Sequence, residues 1–385
     1  MKDPGMKEAT VAPEGKIIAF CGTRGLPASY GGFETAVDEI SRRFVDLGHA
    51  CVVFCRRSSS EGEPDSHEGR RLSYVSGSSR SNLDTFVSAF QVGWHLLRHR
   101  KDYGYVFWFN NANLPGILLT LLSRIPFAVN TDGLEWRRAK WGKPFKLYYF
   151  LSSALISGLC RNLISDSREL QSYYGKTFLK RTSFIPYGVP QTCSLPPEQE
   201  KDILESYGVE PGRYFLQITR FEPDNLPLEA VRAFQESGMG ASGYRFLLVG
   251  RQHDTLYTRR IMDLSGEDGI LVADAVYDQA VVAALRDNCF CYIHGNSVGG
   301  TNPALLEAMS GCARVLAIEG PFSREVLGET GMYFEPGALV PALHSALTSL
   351  ERREDLRERV HSCYRWDAVA EEYLGLLRSC TCVAT

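Results

Sequence analysis

The residues best equipped for chemistry lie together between 292 and 312, Tyr-Ile-His-Gly-Asn-Ser-Val-Gly-Gly-Thr-Asn-Pro-Ala-Leu-Leu-Glu-Ala-Met-Ser-Gly-Cys. An apolar strand end runs into a turn at Gly299, Gly300 and Thr301. Asn302 is then a favourable N-cap and Pro303 a favourable first helical residue, which predicts a helix over 303–310. A helix start offers unpaired N–H groups and about half a positive charge, and glycines let a phosphate approach the backbone, so the turn suits an anion. Glu307, one turn further, accepts hydrogen bonds from sugar or ribose hydroxyls if it faces that turn. The same pattern also serves as an ordinary strand-to-helix connection with a surface glutamate.

The rest of the chain must supply a scaffold for this turn. Residues 16–21, Lys-Ile-Ile-Ala-Phe-Cys, read as a parallel strand buried on both faces. A glycine-rich loop follows, with Gly31-Gly32-Phe33-Glu34 opening a helix to about Leu47, and Cys51–Cys55 forms the next strand. Gly31 and Gly32 either line a cleft with bare backbone or pack that helix closely on the sheet. The loop is not a dinucleotide fingerprint, because its glycines are wrongly spaced and Arg56-Arg57 stands where an acidic ribose ligand is needed. Strand 127–130 ends at Thr131-Asp132-Gly133-Leu134-Glu135, placing Asp132 and Glu135 at the strand end where open parallel sheets bind ligands. Asp132 before Gly133 is also simple turn chemistry. Residues 137–150 interleave cations with aromatics, which suits an anionic, amphiphilic surface and equally a solvated basic face on a buried helix. From 214 to 317 strands and helices alternate again, the signature of a second doubly wound sheet.

Length supports two domains: 385 residues with 44% apolar content exceed one typical core. Residues 1–190 carry 25 Lys and Arg against 17 Asp and Glu, a balance of +8, and the remainder 17 against 28, or −11. A basic first half suggests an anionic partner, while the lack of any recognised nucleic-acid module argues against DNA or RNA. The eleven cysteines are scattered; Cys289/Cys291 and Cys380/Cys382 lack a second pair or histidines to complete a metal site, which fits reduced thiols in cytosol. Residues 1–15 lack a signal-peptide core and read as a disordered lead-in. The apolar stretches 114–122 and 150–159 are too short to span a bilayer, so the expectation is a cytosolic protein that at most lies on the inner face of a membrane. The expected division is 16–190, a linker at 191–212, 213–362, and a terminal helix over 363–385.

Three motifs, Gly22–Thr35, Thr131–Trp141 and His294–Pro303, now carry a resemblance. The chain resembles the GT-B fold retaining glycosyltransferases of family 4, and within them bacterial rhamnosyltransferases that build surface polysaccharide from dTDP-L-rhamnose on a lipid-linked acceptor. The resemblance implies an α/β architecture of two Rossmann-like doubly wound domains facing across a cleft, the first on the acceptor side and the second binding the nucleotide sugar. It implies that Arg220 holds the donor diphosphate and Glu307 the ribose. Asn225 stands where the family commonly has lysine, and Gly299 where it has its first glutamate, so Ser297, Thr301 or Asn302 take over the sugar contact. Asp132 becomes the candidate for ordering the acceptor or the attacking face, with Glu34 and Glu135 beside it. Arg365-Trp366-Asp367 resembles the segment that crosses back to the first domain. Tyr277 is the candidate ring for stacking on the base.

The chemistry implied is departure of a nucleoside diphosphate stabilised by Arg220 and the amides of Gly299–Thr301. There is no Asp-x-Asp pair anywhere, so neither a metal clamp nor any cofactor is expected. A UDP- or GDP-hexose donor, an epimerase of the same shape, and a non-catalytic nucleotide-sugar-binding subunit are the alternatives.

Overall fold

The computed structural model describes residues 15–28, 31–59, 62–77, 81–131, 133–138, 142–189, 195–250 and 254–381. Eight strands build the first sheet: β1 (Ile17–Cys21), β2 (Cys51–Arg56), β3 (Ser66–His67), β4 (Arg70–Val75), β5 (Tyr103–Phe109), β6 (Phe127–Asn130), β7 (Asn162–Ser165) and β8 (Ser183–Phe184). Their order is β3-β4-β2-β1-β5-β6-β7-β8, parallel except where β3 pairs with β4. The first sheet's helices are α1 (Gly32–Asp46), α2 (Ser81–Arg98), α3 (Leu114–Ser123), α4 (Lys143–Leu159) and α5 (Arg168–Phe178). Val37, Ile40 and Phe44 of α1 cover one face, against Phe20, Val53 and Phe107. The other face, with Ala19, Val52, Val106 and Trp108, lies under α2 to α5. Continuous apolar strands such as β1 are what burial on both faces requires.

After α6 (Pro197–Ser206) the second sheet begins: β9 (Tyr214–Ile218), β10 (Arg245–Gly250), β11 (Ile270–Asp274), β12 (Cys291–His294), β13 (Val315–Ile318) and β14 (Met332–Phe334). Its order is β11-β10-β9-β12-β13-β14, all parallel. The helices α7 (Pro227–Ser237), α8 (Leu256–Met262), α9 (Gln279–Asp287), α10 (Pro303–Gly311), α11 (Pro321–Leu327), α12 (Leu339–Thr348) and α13 (Arg353–Cys363) flank it. Leu228, Phe234, Ile261 and Leu343 pack on one face, and Leu285, Leu306, Met309 and Val360 belong to the core on the other.

The last helix, α14 (Trp366–Thr381), joins the two halves. Asn130 Nδ2 at the end of β6 donates to Tyr373 Oη at 2.7 Å, and Arg43 Nε on α1 lies 2.7 Å from Asp367. Val189 bridges to Arg365, and Trp366 fills the space beside Gly188. Tyr373, Leu374 and Leu377 therefore sit in one continuous apolar core with residues of both sheets.

The edge hairpin β3–β4 lies where the polar run 57–70 reads as an exposed loop. Its anchor is Arg70, fully buried, whose guanidinium meets Asp38 Oδ1 at 2.5 Å and Glu68 Oε2 at 2.7 Å. Asp38, His67 and Glu68 bring three metal-ligand types together, but this cation already occupies the carboxylates.

Candidate functional site

The second sheet reverses its winding between β9 and β12, which are neighbours although three helices and two strands separate them in sequence. The loops leaving the carboxyl ends of these two strands therefore diverge over a crevice, where open α/β sheets bind ligands. One loop carries Arg220 and Asn225, and the other carries Ser297 to Asn302. They are stitched together: Ser297 donates through its N–H at 3.0 Å and its Oγ at 2.9 Å to the Asp224 carbonyl. A Cβ at Gly295 would stand 2.3 Å from the Asn225 carbonyl oxygen, so only glycine lets the loops approach this closely.

Asn302 caps α10, its Oδ1 accepting from Ala304 N–H at 3.0 Å, with Pro303 in the first turn. The helix start is thus built as the sequence chemistry requires. Glu307 is not a surface residue: its Oε2 lies 2.5 Å from Nη1 of the buried Arg286. Burial opposes the Arg286 charge, but the adjoining carboxylate outweighs it and holds the guanidinium pKa above its ordinary value. Arg220 is one-third exposed, with Nη1 3.7 Å from Glu222. Asn225 is buried, and its Nδ2 donates at 3.0 Å to the Arg220 carbonyl, so it shapes the arginine loop from below. Tyr277, in the loop after β11, is half exposed.

The first domain meets this turn directly. A Cβ on Gly32 would stand 3.1 Å from the Pro303 ring, and one on Gly133 would stand 3.3 Å from Gly299 Cα. Gly300 lies against the Asp166 carboxylate, whose Oδ1 is 1.8 Å from where a Cβ would be. Thr301 Oγ1 donates to the Asp166 carbonyl. Arg138 Nη2 reaches the Val298 carbonyl at 3.5 Å while its Nε pairs with Glu135 at 2.6 Å. Gly32, Gly299 and Gly300 thus serve the approach of one domain to the other, whereas Gly31 faces Glu34 of its own domain, 2.7 Å from where its Cβ would be. Glu34 turns into its own domain, Oε1 accepting from Arg24 N–H at 3.0 Å, and burial raises its carboxyl pKa. Asp132 lies outside the described residues.

A small open crevice, with room for about one water, adjoins the turn and is walled by Asn296, Gly299, Asn302, Leu305 and Phe322 among others. Arg220, Glu307 and Tyr277 are not in its walls. His294, at the end of β12, is. It is 3% exposed, and desolvation lowers its pKa to about 3, so the ring is neutral. Sequence reasoning left out His294, Arg286 and Asp166. His294 and Arg286 bear ionisable groups close to the motif, but burial decides their state. Asp166 precedes Ser167, the N-cap of α5, which hides it in an ordinary strand-to-helix step.

Solved structures share this architecture along nearly the whole chain. The sucrose-phosphate synthase of Thermosynechococcus elongatus superposes with a TM-score of 0.78, covering 96% of this chain and 100% of its own at 18% identity. The fold is GT-B. A Rickettsia africae glycosyltransferase matches with a TM-score of 0.70 over 94% of this chain and 98% of its own, at 15% identity. The HepE protein of Anabaena in complex with UDP-glucose matches with 0.74 over 94% and 99%, at 14% identity. A model of a domain of unknown function, DUF1972, matches residues 122–190, which carry β6 to β8 with α4 and α5. No curated protein matches the chain.

Proposed function

We propose that this GT-B chain is a retaining, metal-independent glycosyltransferase of the family 4 type. It moves a sugar from a nucleoside diphosphate to a lipid-linked or saccharide acceptor. The observation that carries the reading is the crevice between β9 and β12, where Arg220 and the start of α10 rise from adjacent strand ends. Arg220 and the amides of Gly299 to Thr301 receive the diphosphate, and Glu307, held by Arg286, accepts the ribose hydroxyls. The bond from anomeric carbon to phosphate oxygen breaks with its electron pair on the diphosphate. The acceptor oxygen bonds to that carbon on the same face, and its proton passes to the departing phosphate. A preorganised cation and helix start lower the barrier by meeting charge where it develops. Ser297, Thr301 and Asn302 take the sugar contact that Gly299 lacks, and Asp132 and Glu135 attend the acceptor.

The sequence motifs favour dTDP-L-rhamnose as donor. A UDP-hexose is the second reading, favoured by the likeness to the Anabaena protein complexed with UDP-glucose. Thermal shift with dTDP, UDP and GDP decides between them, since a ligand of the native state at a hundred times its Kd adds about 2.7 kcal/mol of stability. Turnover of the matching nucleotide sugar with a lipid-pyrophosphate sugar is the confirming measurement. Failure of all three nucleotides to bind removes the proposal.

A further inference from the structure

Helix α4 turns three serines inward beside Tyr149 and Ile156 and leaves a row of leucines outside. It buries Ser152, Ser153 and Ser157 and exposes Leu147, Leu151, Leu155 and Leu159, four leucines at a spacing of four residues that form one stripe. The serines are satisfied inside: Ser152 donates to the Asn111 carbonyl at 2.5 Å, Ser153 to Tyr149 at 2.8 Å and Ser157 to Ser153 at 2.7 Å. Asn111, which accepts from Ser152 and donates through Nδ2 to Ser153 Oγ at 2.9 Å, ties this serine face to the segment after β5 and so keeps the leucines outward. On the same side of the sheet α2 exposes Phe90 and Trp94, and Phe86 of α2 meets Tyr148 of α4 with ring centroids 4.7 Å apart. An apolar face of this extent is maintained against its cost in water only where something covers it.

We propose that the α2–α4 face docks on an anionic lipid bilayer. Charge selects this occupant over a second copy of the chain. Between Glu135 and Asp166, and again between Asp102 and Asp132, the sequence contains no carboxylate, whereas Lys143 and Lys146 stand in the first turn of α4 and Arg161 and Arg124 are exposed just past the ends of α4 and α3. A symmetric pairing of two α4 faces sets cation against cation with no acid on that helix, while anionic headgroups neutralise them. Arg98 lies over the Trp94 ring at 4.9 Å, an aromatic and a cation at one level, which suits the headgroup boundary. Apolar insertion with a basic rim is the composition of a helix that lies in the interface plane, and its binding falls with salt. Helix α4 starts five residues after Arg138, which reaches the turn at Val298, so the docked face leads to the mouth of the cleft. Only the identity of what is carried there, a lipid-anchored acceptor, rests on the sugar-transfer proposal.

The test is flotation of the full chain with vesicles of phosphatidylcholine alone and of phosphatidylcholine with phosphatidylglycerol, at low and high salt. The expected result is binding to the anionic vesicles only, weakened by salt. The double exchange Leu151→Glu and Leu155→Glu should reduce it by tenfold or more, on the order of the transfer gain of burying two leucines. Both leucines are about half exposed, so the variant should keep its circular dichroism and melting temperature. Leu256→Glu, an exposed leucine on α8, should bind as wild type does. Absence of wild-type binding, binding indifferent to the double exchange, or a lipid-free dimer abolished by that exchange would each overturn the proposal. Thermal shift with dTDP and UDP on the same samples keeps the two ideas apart: nucleotide binding without flotation removes the docking surface alone, and flotation without nucleotide binding removes sugar transfer alone.

Discussion

Arg286 Nη1 lies 2.5 Å from Glu307 Oε2, tying the last turn of α9 to α10 with a guanidinium that is almost wholly buried. The pair fixes where the carboxylate points, so under the proposed ribose role Arg286 would act on ligand only through Glu307. Removing one member of a buried pair costs about 3–5 kcal/mol, and the partial exposure of Glu307 puts this case near the lower end. Arg286→Met should therefore lower stability by about 3 kcal/mol in denaturant titration and weaken nucleotide binding. Glu307→Gln, which still offers Arg286 an oxygen, should lose less stability and a similar part of the affinity. Equal affinities in wild type and both variants, measured by calorimetry, would refute the ribose role.

Gly300 and Asp166 give a second prediction, about closure. Any side chain at 300 meets the Asp166 carboxylate, so Gly300→Ala should hold the domains apart, raise the radius of gyration in solution scattering and cut turnover. Asp166→Gly in the same chain removes the obstacle and should restore the compact form. If the single exchange leaves the scattering profile unchanged, the two domains do not meet at this point in solution.

Much of this architecture is legible locally. β1 announces itself as an unbroken apolar run, β9 and β12 as runs broken only by Gln217 and His294, and the Asn302–Pro303 pair announces the start of α10, because capping is settled within four residues. What is not legible is whatever depends on a partner far along the chain. The contact of Asp166 with Gly300 joins two domains, and nothing near either residue signals it. The apolar stretch 150–159 reads only as too short to span a bilayer, and its leucines face outward because Asn111, on another element, holds Ser152 and Ser153 inside. Likewise β4 opens on two arginines, and its place beside the edge strand depends on Arg70 reaching Asp38 from another element.

Arg220 separates a diphosphate clamp from a surface ion pair. Its contact with Glu222 is 3.7 Å long with the arginine one-third exposed, and such pairs contribute about 0–1 kcal/mol. Arg220→Ala should therefore shift the melting temperature little while lowering kcat by about a hundred- to thousand-fold, the usual effect of losing one transition-state donor. A large loss of stability with unchanged turnover would assign the residue to the fold instead.

His294 makes stability depend on pH in a direction that can be worked out. Its folded pKa of about 3 lies below the ordinary histidine value because burial disfavours the charged ring. As pH falls below about 6.5 the unfolded chain takes up a proton that the folded chain refuses, so the unfolded state gains and stability declines through the window from about 6.5 down to 3. At pH 4.5 this amounts to roughly 2–3 kcal/mol. His294→Asn removes the titrating group, so the difference in unfolding free energy between wild type and variant should change by that amount between pH 7 and 4.5. Parallel pH profiles for the two proteins would mean that the ring protonates as readily in the fold as outside it, and that the neutral, buried side chain described beside the pocket is not the state in solution.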